Sequence, residues 1–324
     1  MPPPMRYVQP GEVIAAPQRF NLVRGASGLV VRFLRAVADR VLRQCQPVRL
    51  DFRRTEAFHP AGTLLLFAEL DRIISLSPLP KPVTVLDPYR RKPREVLKQI
   101  GIFQLAGDKR DLVPAHRDVV FWRAMKGATA SGDEMSALGE VAIQVGQRSE
   151  QSLKVAELWR GVTEAVANSV EHAYEHPRVD GFKGLDGTRW WMFTHLRDGI
   201  FTAAVCDLGC GYRATIRANL PSEFIADVLL RLASQNQDAC AIAAAMEYGR
   251  SSTRAANRGK GSRDALSVLE AHGQGEMFIV SNSGWLNYKH RAGSEPKVDR
   301  GSLEADIRGT IIWWKLPLSE HTGD

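Results

Sequence analysis

Long hydrophobic runs are missing from this 324-residue chain. Apolar stretches such as Ala61 to Leu66 fall far short of the ~20 residues that cross a bilayer. The proline-rich segment Met1–Pro17 has no hydrophobic signal region either. The sequence therefore predicts no membrane association and a cytoplasmic protein. Cysteine is scarce. Cys45, Cys206, Cys210 and Cys240 form no C-x-x-C pair and have no histidine at zinc spacing, so they read as reduced small hydrophobes. No internal repeat is visible. A composition of 44% apolar and 24% charged residues excludes long disorder, and the length suffices for two domains with a core each.

The formal charge is +7, unevenly placed: residues 1–111 carry 19 Lys and Arg against 10 Asp and Glu, and the remainder carries 24 against 26. A basic N-terminal part fits nucleic acid or an acidic partner. These charges are scattered and mostly arginine, with only Arg90 to Arg94 clustered, which argues against a nucleic-acid surface.

Residues 1–20 read as a Pro-rich lead-in. From Gly28 to Gln44, Leu29, Val30, Phe33, Val37 and Val41 recur at helical spacing with arginines between them, which predicts an amphipathic helix. Strands are predicted at Val48–Phe52 and Pro82–Leu86, and helices at Gly62–Ile74 and Pro93–Ile100, an alternation typical of a small α/β layer. The run VRLDFRRTEAFHPAGTLLLFAELDRI, followed by PVTVLD and REVLKQIGIFQLAG, resembles a STAS domain over about residues 45–107. The resemblance implies a domain at 21–111 that engages a protein partner or a second copy. In that family a D-S-S-G turn carries the phosphorylated serine. Here the turn is His59, Pro60, Ala61 and Gly62, with Thr63 one place beyond, which favours binding or dimerisation over a phospho-switch.

After a linker at 108–118, Val119–Lys126 is predicted as a strand and Met135–Tyr174 as two helical segments ended by Pro177. In the second segment Glu164, Asn168 and His172 recur every four residues, within about 80° of arc on one helix face. Burying an amide and a carboxylate without partners is costly, so this face either lines a ligand cavity or is solvated. An amide oxygen suits nucleotide-bound Mg2+, and a carboxylate one turn earlier suits proton abstraction. His172 reads as a core histidine, and Glu171 and His176 as surface.

Thr188–Leu196 and Ile200–Asp207 are predicted as two strands joined at Arg197, Asp198 and Gly199, a D-G hairpin signal. Helices follow near 222–234, 237–248 and 262–272, the last preceded by a polar loop holding Arg250, Arg254 and Arg258. Strands are expected at Glu276–Ser281 and Trp285–Tyr288, a polar mobile segment at Lys289–Ser302, a strand at Asp306–Leu316 and a tail at 319–324.

The order of E-x-x-x-N helix, strand with D-x-G-x-G, polar loop with G-K-G at a helix start, and strand with G-T resembles the GHKL ATPase superfamily. The nearest likeness is to anti-sigma-factor serine kinases, and it covers about residues 119–318. The resemblance implies a two-layer α/β sandwich with a mixed sheet that binds Mg·ATP. By it, Glu164 is the general base, Asn168 holds Mg2+, and Asp207 accepts the adenine amino group. Gly209 and Gly211 let the backbone approach the nucleotide, Gly259 and Gly261 offer N–H groups to the phosphates, and Thr310 reaches the adenine. Lys260 faces either the phosphates or solvent. Three functions remain open: a slow ATPase or nucleotide-gated switch, a serine kinase for a separate STAS partner, and an ATP-dependent dimerisation scaffold. No phospho-acceptor histidine helix is present, which disfavours a two-component kinase.

Overall fold

The computed structural model describes residues 11–22, 27–119, 122–130, 155–178, 180–181, 190–232, 236–251 and 260–318. The Pro-rich start joins the fold earlier than its composition suggests. Strand β1 (Glu12–Ala15) and the two-residue β2 (Arg19–Phe20) are followed by helix α1 (Ser27–Ala38), whose last turn widens into a π-helix over Asp39–Arg43. Then come β3 (Val48–Asp51), β4 (Ala57–Phe58), α2 (Pro60–Leu76), β5 (Val83–Leu86), α3 (Arg91–Gln99) and α4 (Ile102–Leu105). β1 and β5 both pair parallel with β3, and β2 pairs parallel with β4. Strands of four and two residues are too short to show a period, which is why 11–20 reads as no more than a partly ordered lead-in. Backbone pairing and the Thr55 hydroxyl, which donates to the Pro17 carbonyl at 2.9 Å, hold this segment in place. In α1 the apolar face buries Val30, Phe33 and Val37, but Leu29, which belongs to that face by spacing, is exposed.

The second half begins with β6 (Arg123–Gly127), which starts later than predicted because Arg117–Val119 winds into a short 3-10 turn. Helix α5 (Val155–Glu171) carries the E-x-x-x-N motif, and the helical segment predicted from Met135 lies outside the described residues. β7 (Trp190–Arg197) and β8 (Ile200–Asp207) meet at Asp198 and Gly199, whose φ values of 51° and 68° are those a two-residue hairpin of primed type requires. Helices α6 (Tyr212–Asn219), α7 (Ser222–Leu232), α8 (Gln237–Ser251) and α9 (Lys260–His272) follow, and strands β9 (Gln274–Ser281), β10 (Gly284–Arg291), β11 (Lys297–Ser302) and β12 (Thr310–Pro317) complete the chain. Two of these depart from the sequence reading. Residues 289–302 are not a mobile segment but the end of β10 and an edge strand, β11, whose exposed side chains give no apolar signal. α6 is an additional helix directly after the D-x-G-x-G turn, where the sequence reading placed none.

The larger sheet runs β11-β10-β9-β12-β8-β7-β6, and all its pairings are antiparallel. The expected mixture of parallel and antiparallel strands is thus confined to the molecule as a whole. Two-residue turns at Asp198–Gly199 and Asn282–Ser283 return the chain directly beside itself, which only antiparallel pairing permits. Both faces are buried over β7, β8, β9 and β12, so these strands read as nearly unbroken apolar runs rather than alternation. Trp190, Met192, Ala203, Val205, Ile312 and Trp314 pack under α5, α8 and α9, while Trp191, Phe193, Ala204, Cys206, Ile311 and Trp313 join the core of the N-terminal half.

That second core is organised by α2, which lies against β7, β8 and β12 on one side and α1 and α4 on the other. From Ala61 to Ile73 every residue of α2 is buried, Glu69, Asp71 and Arg72 included. A helix enclosed all round explains why this stretch is apolar apart from Thr63, Glu69, Asp71 and Arg72. Thr63 is buried too, and its hydroxyl donates to the His59 carbonyl at 2.8 Å. No helix among the described residues is long and apolar enough to cross a membrane.

Candidate functional site

The helix-bearing face of the larger sheet collects the motif residues. Along β8, Phe201, Ala203 and Val205 face α5, α8 and α9. By strand alternation the Asp207 side chain lies on that same face, at the strand end. Asp207 is the register partner of Thr310, the first residue of β12. Its carboxylate is 7% exposed and accepts the Gly209 N–H at 2.9 Å. Burial pushes its pKa up to about 6, against the opposing pull of hydrogen bonds from Gly209 and from the backbone and side chain of Thr310. The Thr310 hydroxyl in turn lies 3.3 Å from the Ser281 Oγ, which accepts the Tyr212 N–H at 2.9 Å. Three segments distant in sequence therefore converge on one carboxylate.

Glu164 and Asn168 sit one turn apart on α5, both half-buried. The Asn168 amide nitrogen is 3.4 Å from the Glu164 Oε1, a long contact that turns the nitrogen toward the carboxylate and leaves the amide oxygen as the group suited to a cation. Burial raises the Glu164 pKa, with the nearby Asp264 and Glu171 charges acting in the same direction. Asp264 belongs to the first turns of α9, so the N-terminal end of that helix approaches the motif face. Gly161 is what allows it: a Cβ there would meet the Val268 Cγ2 at 2.4 Å. Tyr212 links the two halves of the site. Burial raises its pKa, and the charges of both Asp207 and Glu164 raise it further.

The two glycines of the D-x-G-x-G turn have reasons of their own. A Cβ on Gly209 would lie 2.0 Å from the Ala173 carbonyl oxygen, and Gly211 has φ 77° with the Asn282 amide 2.5 Å from where its Cβ would stand. Both are required for the turn to close on the end of α5 and on the β9–β10 hairpin, so glycine here is explained by the chain's own packing. The Cys210 N–H donates to the Ala173 carbonyl at 2.7 Å, and the Asn282 amide donates to the Cys210 carbonyl at 3.1 Å.

Of the other candidate residues, Gly259 and the loop arginines Arg254 and Arg258 lie outside the described residues. Lys260 and Gly261 form the first turn of α9, which starts two residues earlier than predicted. His172 is not a core histidine: α5 ends at Glu171, and the His172 ring is 39% exposed with Nδ1 3.2 Å from a Glu175 carboxylate oxygen. Glu171 and His176 are exposed as expected. Cys206 and Cys240 are buried and Cys210 is half-buried, but Cys45, just after the π-helical turn with φ 50°, is exposed. The Arg90–Arg94 cluster is engaged internally: Arg90 with Glu56, Arg91 with Glu95, Lys92 with Asp118, and Arg94 with the Pro88 carbonyl. Among the described residues no three His, Cys, Asp or Glu side chains gather as a metal cage.

No family model matches the chain, and no curated protein does.

Several groups of the site escape sequence reasoning. Tyr174 accepts the Leu208 N–H at 3.2 Å and so fixes the turn after Asp207. Arg178, just past Pro177 and seven residues beyond the end of α5, donates through Nη1 to the Leu208 and Arg308 carbonyls at 3.0 and 3.2 Å, one residue from Asp207 and two from Thr310. Its Nη2 reaches Glu69 of α2 at 2.9 Å and Asp180 at 3.0 Å. The signal for this network was present in α2, where three charged residues interrupt an otherwise apolar helix, but nothing in the sequence names their partner.

Proposed function

We propose that the chain binds Mg·ATP between α5, the β8–α6 turn and the start of α9, as a GHKL-like regulatory ATPase of the cytoplasm. The observation that carries this reading is the buried Asp207 carboxylate paired with Thr310, on the same sheet face as the Glu164–Asn168 pair. A buried carboxylate with a hydroxyl beside it suits an exocyclic amino group flanked by a ring nitrogen, which is the edge adenine presents. The Asn168 oxygen is a hard, neutral ligand. Mg2+ carried by a nucleotide keeps water and phosphate oxygens around it, so one such protein ligand suffices without a metal cage. The cation would supply charge neutralisation at the phosphates. Glu164, held partly out of water with a raised pKa, is suited to take a proton from water or a hydroxyl. Backbone N–H groups in the first turn of α9 would add the positive end of a helix dipole. A protein partner or second copy, expected at the N-terminal unit, would have to use surfaces other than α2, which is enclosed.

The test separates binding from chemistry. In Glu164→Gln, Mg·ATP binding is expected to persist while phosphate release falls by about 10²–10⁴-fold, the usual contribution of a general base. Wild-type protein that binds ATP but releases no phosphate, alone or with a partner present, would remove the ATPase reading and leave a nucleotide-gated scaffold.

A further inference from the structure

The buried charges of α2 lie on the opposite face of the larger sheet from the motif helix α5, yet one of them reaches the Asp207–Thr310 pair through a single side chain. Arg178 is 4% exposed, and the two ends of its guanidinium serve different parts of the molecule. Nη1 donates to the carbonyls of Leu208 at 3.0 Å and Arg308 at 3.2 Å, so it ties the end of β8 to the segment entering β12. Nη2 donates to Glu69 of α2 at 2.9 Å and to Asp180 at 3.0 Å. The other oxygen of Glu69 accepts from Arg72 at 2.7 and 2.9 Å.

Arg178 also acts through its charge. The titratable groups around Asp207 are Tyr174 past α5, Cys206 on β8, Cys210 in the turn and Tyr212 on α6. Burial raises the pKa of all four and so favours their neutral forms, whereas the Arg178 charge favours the ionised Asp207 carboxylate. The charges of Arg178 and Glu69 are both felt at Cys206, one residue from Asp207, so the field of this pair extends to the strand end.

We propose that α2 of the N-terminal half is part of the nucleotide site: Glu69 aims Arg178, and Arg178 is the positioning residue that sets the spacing of Asp207 and Thr310 for the base. The proposal rests on the reading of those two residues as the adenine-recognising pair. A guanidinium fork bound at two carboxylates and two carbonyls has little freedom, so it passes a shift of α2 to the strand ends. Residues that touch no ligand but belong to such a chain of contacts change affinity elsewhere by about 2–30-fold.

The experiment is calorimetric titration of Mg·ATP into the full chain from about pH 5 to 8, with urea unfolding of each protein alongside. Wild type, Glu69→Gln, Arg178→Lys, Arg178→Met and Asp71→Asn are compared. Asp71 is the control: it is equally buried in α2 and binds Lys126 at 2.6 Å and Trp191 at 3.0 Å, away from the Leu208 and Arg308 carbonyls. Glu69→Gln and Arg178→Lys are expected to bind ATP about 2–30-fold more weakly at pH 8. Arg178→Lys keeps the charge and so the wild-type pH dependence. Arg178→Met loses the charge, so Asp207 takes up its proton at higher pH and binding is lost at higher pH than in the wild type. Asp71→Asn is expected to unfold more easily and to bind ATP like the wild type. The proposal is overturned if Glu69→Gln and Arg178→Lys lower the urea midpoint but keep the wild-type dissociation constant. It is also overturned if Asp71→Asn weakens binding as much as Glu69→Gln, which would mean a general loosening of α2. Wild-type protein that binds no Mg·ATP removes the proposed function as well, whereas failure of the variants beside a binding wild type removes this inference alone.

Discussion

Replacing Arg178 by Met is expected to cost about 3–5 kcal/mol of unfolding free energy, the usual penalty for removing one partner of a buried ion-pair network. The side chain is 4% exposed and is shared by Glu69, Asp180 and the carbonyls of Leu208 and Arg308. Glu69 is fully enclosed; burial alone would favour its neutral form, but Arg178 and Arg72 hold its pKa below the ordinary range. Without Arg178, Glu69 and Asp180 each lose a guanidinium partner, though Arg72 still reaches Glu69 and Arg308 still reaches Asp180, and two carbonyls at the end of the larger sheet lose this donor. Lysine is a poor substitute, because a point charge cannot reach two carboxylates and two carbonyls at once. Urea unfolding of Arg178→Met and Arg178→Lys checks this. Wild-type-like midpoints would show that α2 is held to the sheet by apolar packing alone.

The second large effect concerns Asp207. In Asp207→Asn the side chain keeps its shape but presents N–H groups toward a ligand edge that also presents N–H. ATP affinity at pH 8 is therefore expected to fall about 10–100-fold, the worth of a hydrogen bond to a charged group. The pH dependence follows from the raised pKa. Asp207 titrates at about 6 in the folded protein, against about 3.9 for an unperturbed aspartate. The folded state thus holds this proton more tightly than the unfolded chain between those values. Its stabilising contribution is complete below about pH 4 and is lost as pH rises through 6. Wild-type stability should carry this falling component, and Asp207→Asn should lack it. Nucleotide binding runs the opposite way: it needs the ionised carboxylate and should weaken in the wild type as pH falls below 6. Identical pH profiles for the two proteins would place Asp207 outside the recognition of the base.

Some of this was legible in the sequence and some was not, for definite reasons. The hairpin at Asp198–Gly199 and the helix carrying Glu164 and Asn168 follow from turn chemistry and helical period, which are local. Strand β1 and edge strand β11 were not foreseen, because the four residues of β1 and the six of β11, exposed or half-exposed and pairing along an edge, leave no hydrophobic signature. The glycines at 209 and 211 were visible, but the groups that demand them, the Ala173 carbonyl and the Asn282 amide, come from elsewhere in the chain. The same holds for Thr310 and Ser281, whose junction with Asp207 depends on the register of β12 between β8 and β9. Glu69, Asp71 and Arg72 are the clearest case. Their places in an apolar helix are plain in the sequence, yet only the tertiary structure brings Arg178, Lys126 and Trp191 to them, the last donating to Asp71 at 3.0 Å.

The central claim is that Glu164, Asn168, Asp207 and Thr310 form one site for Mg·ATP. Calorimetric titration of ATP at pH 8 into wild type and Asn168→Ala, each with Mg2+ and with EDTA, tests it most directly. Saturable wild-type binding that is strengthened by Mg2+, together with loss of that Mg2+ effect in Asn168→Ala, is the expected result. No saturable binding by the wild type in Mg2+, or a Mg2+ effect that Asn168→Ala retains in full, would contradict it.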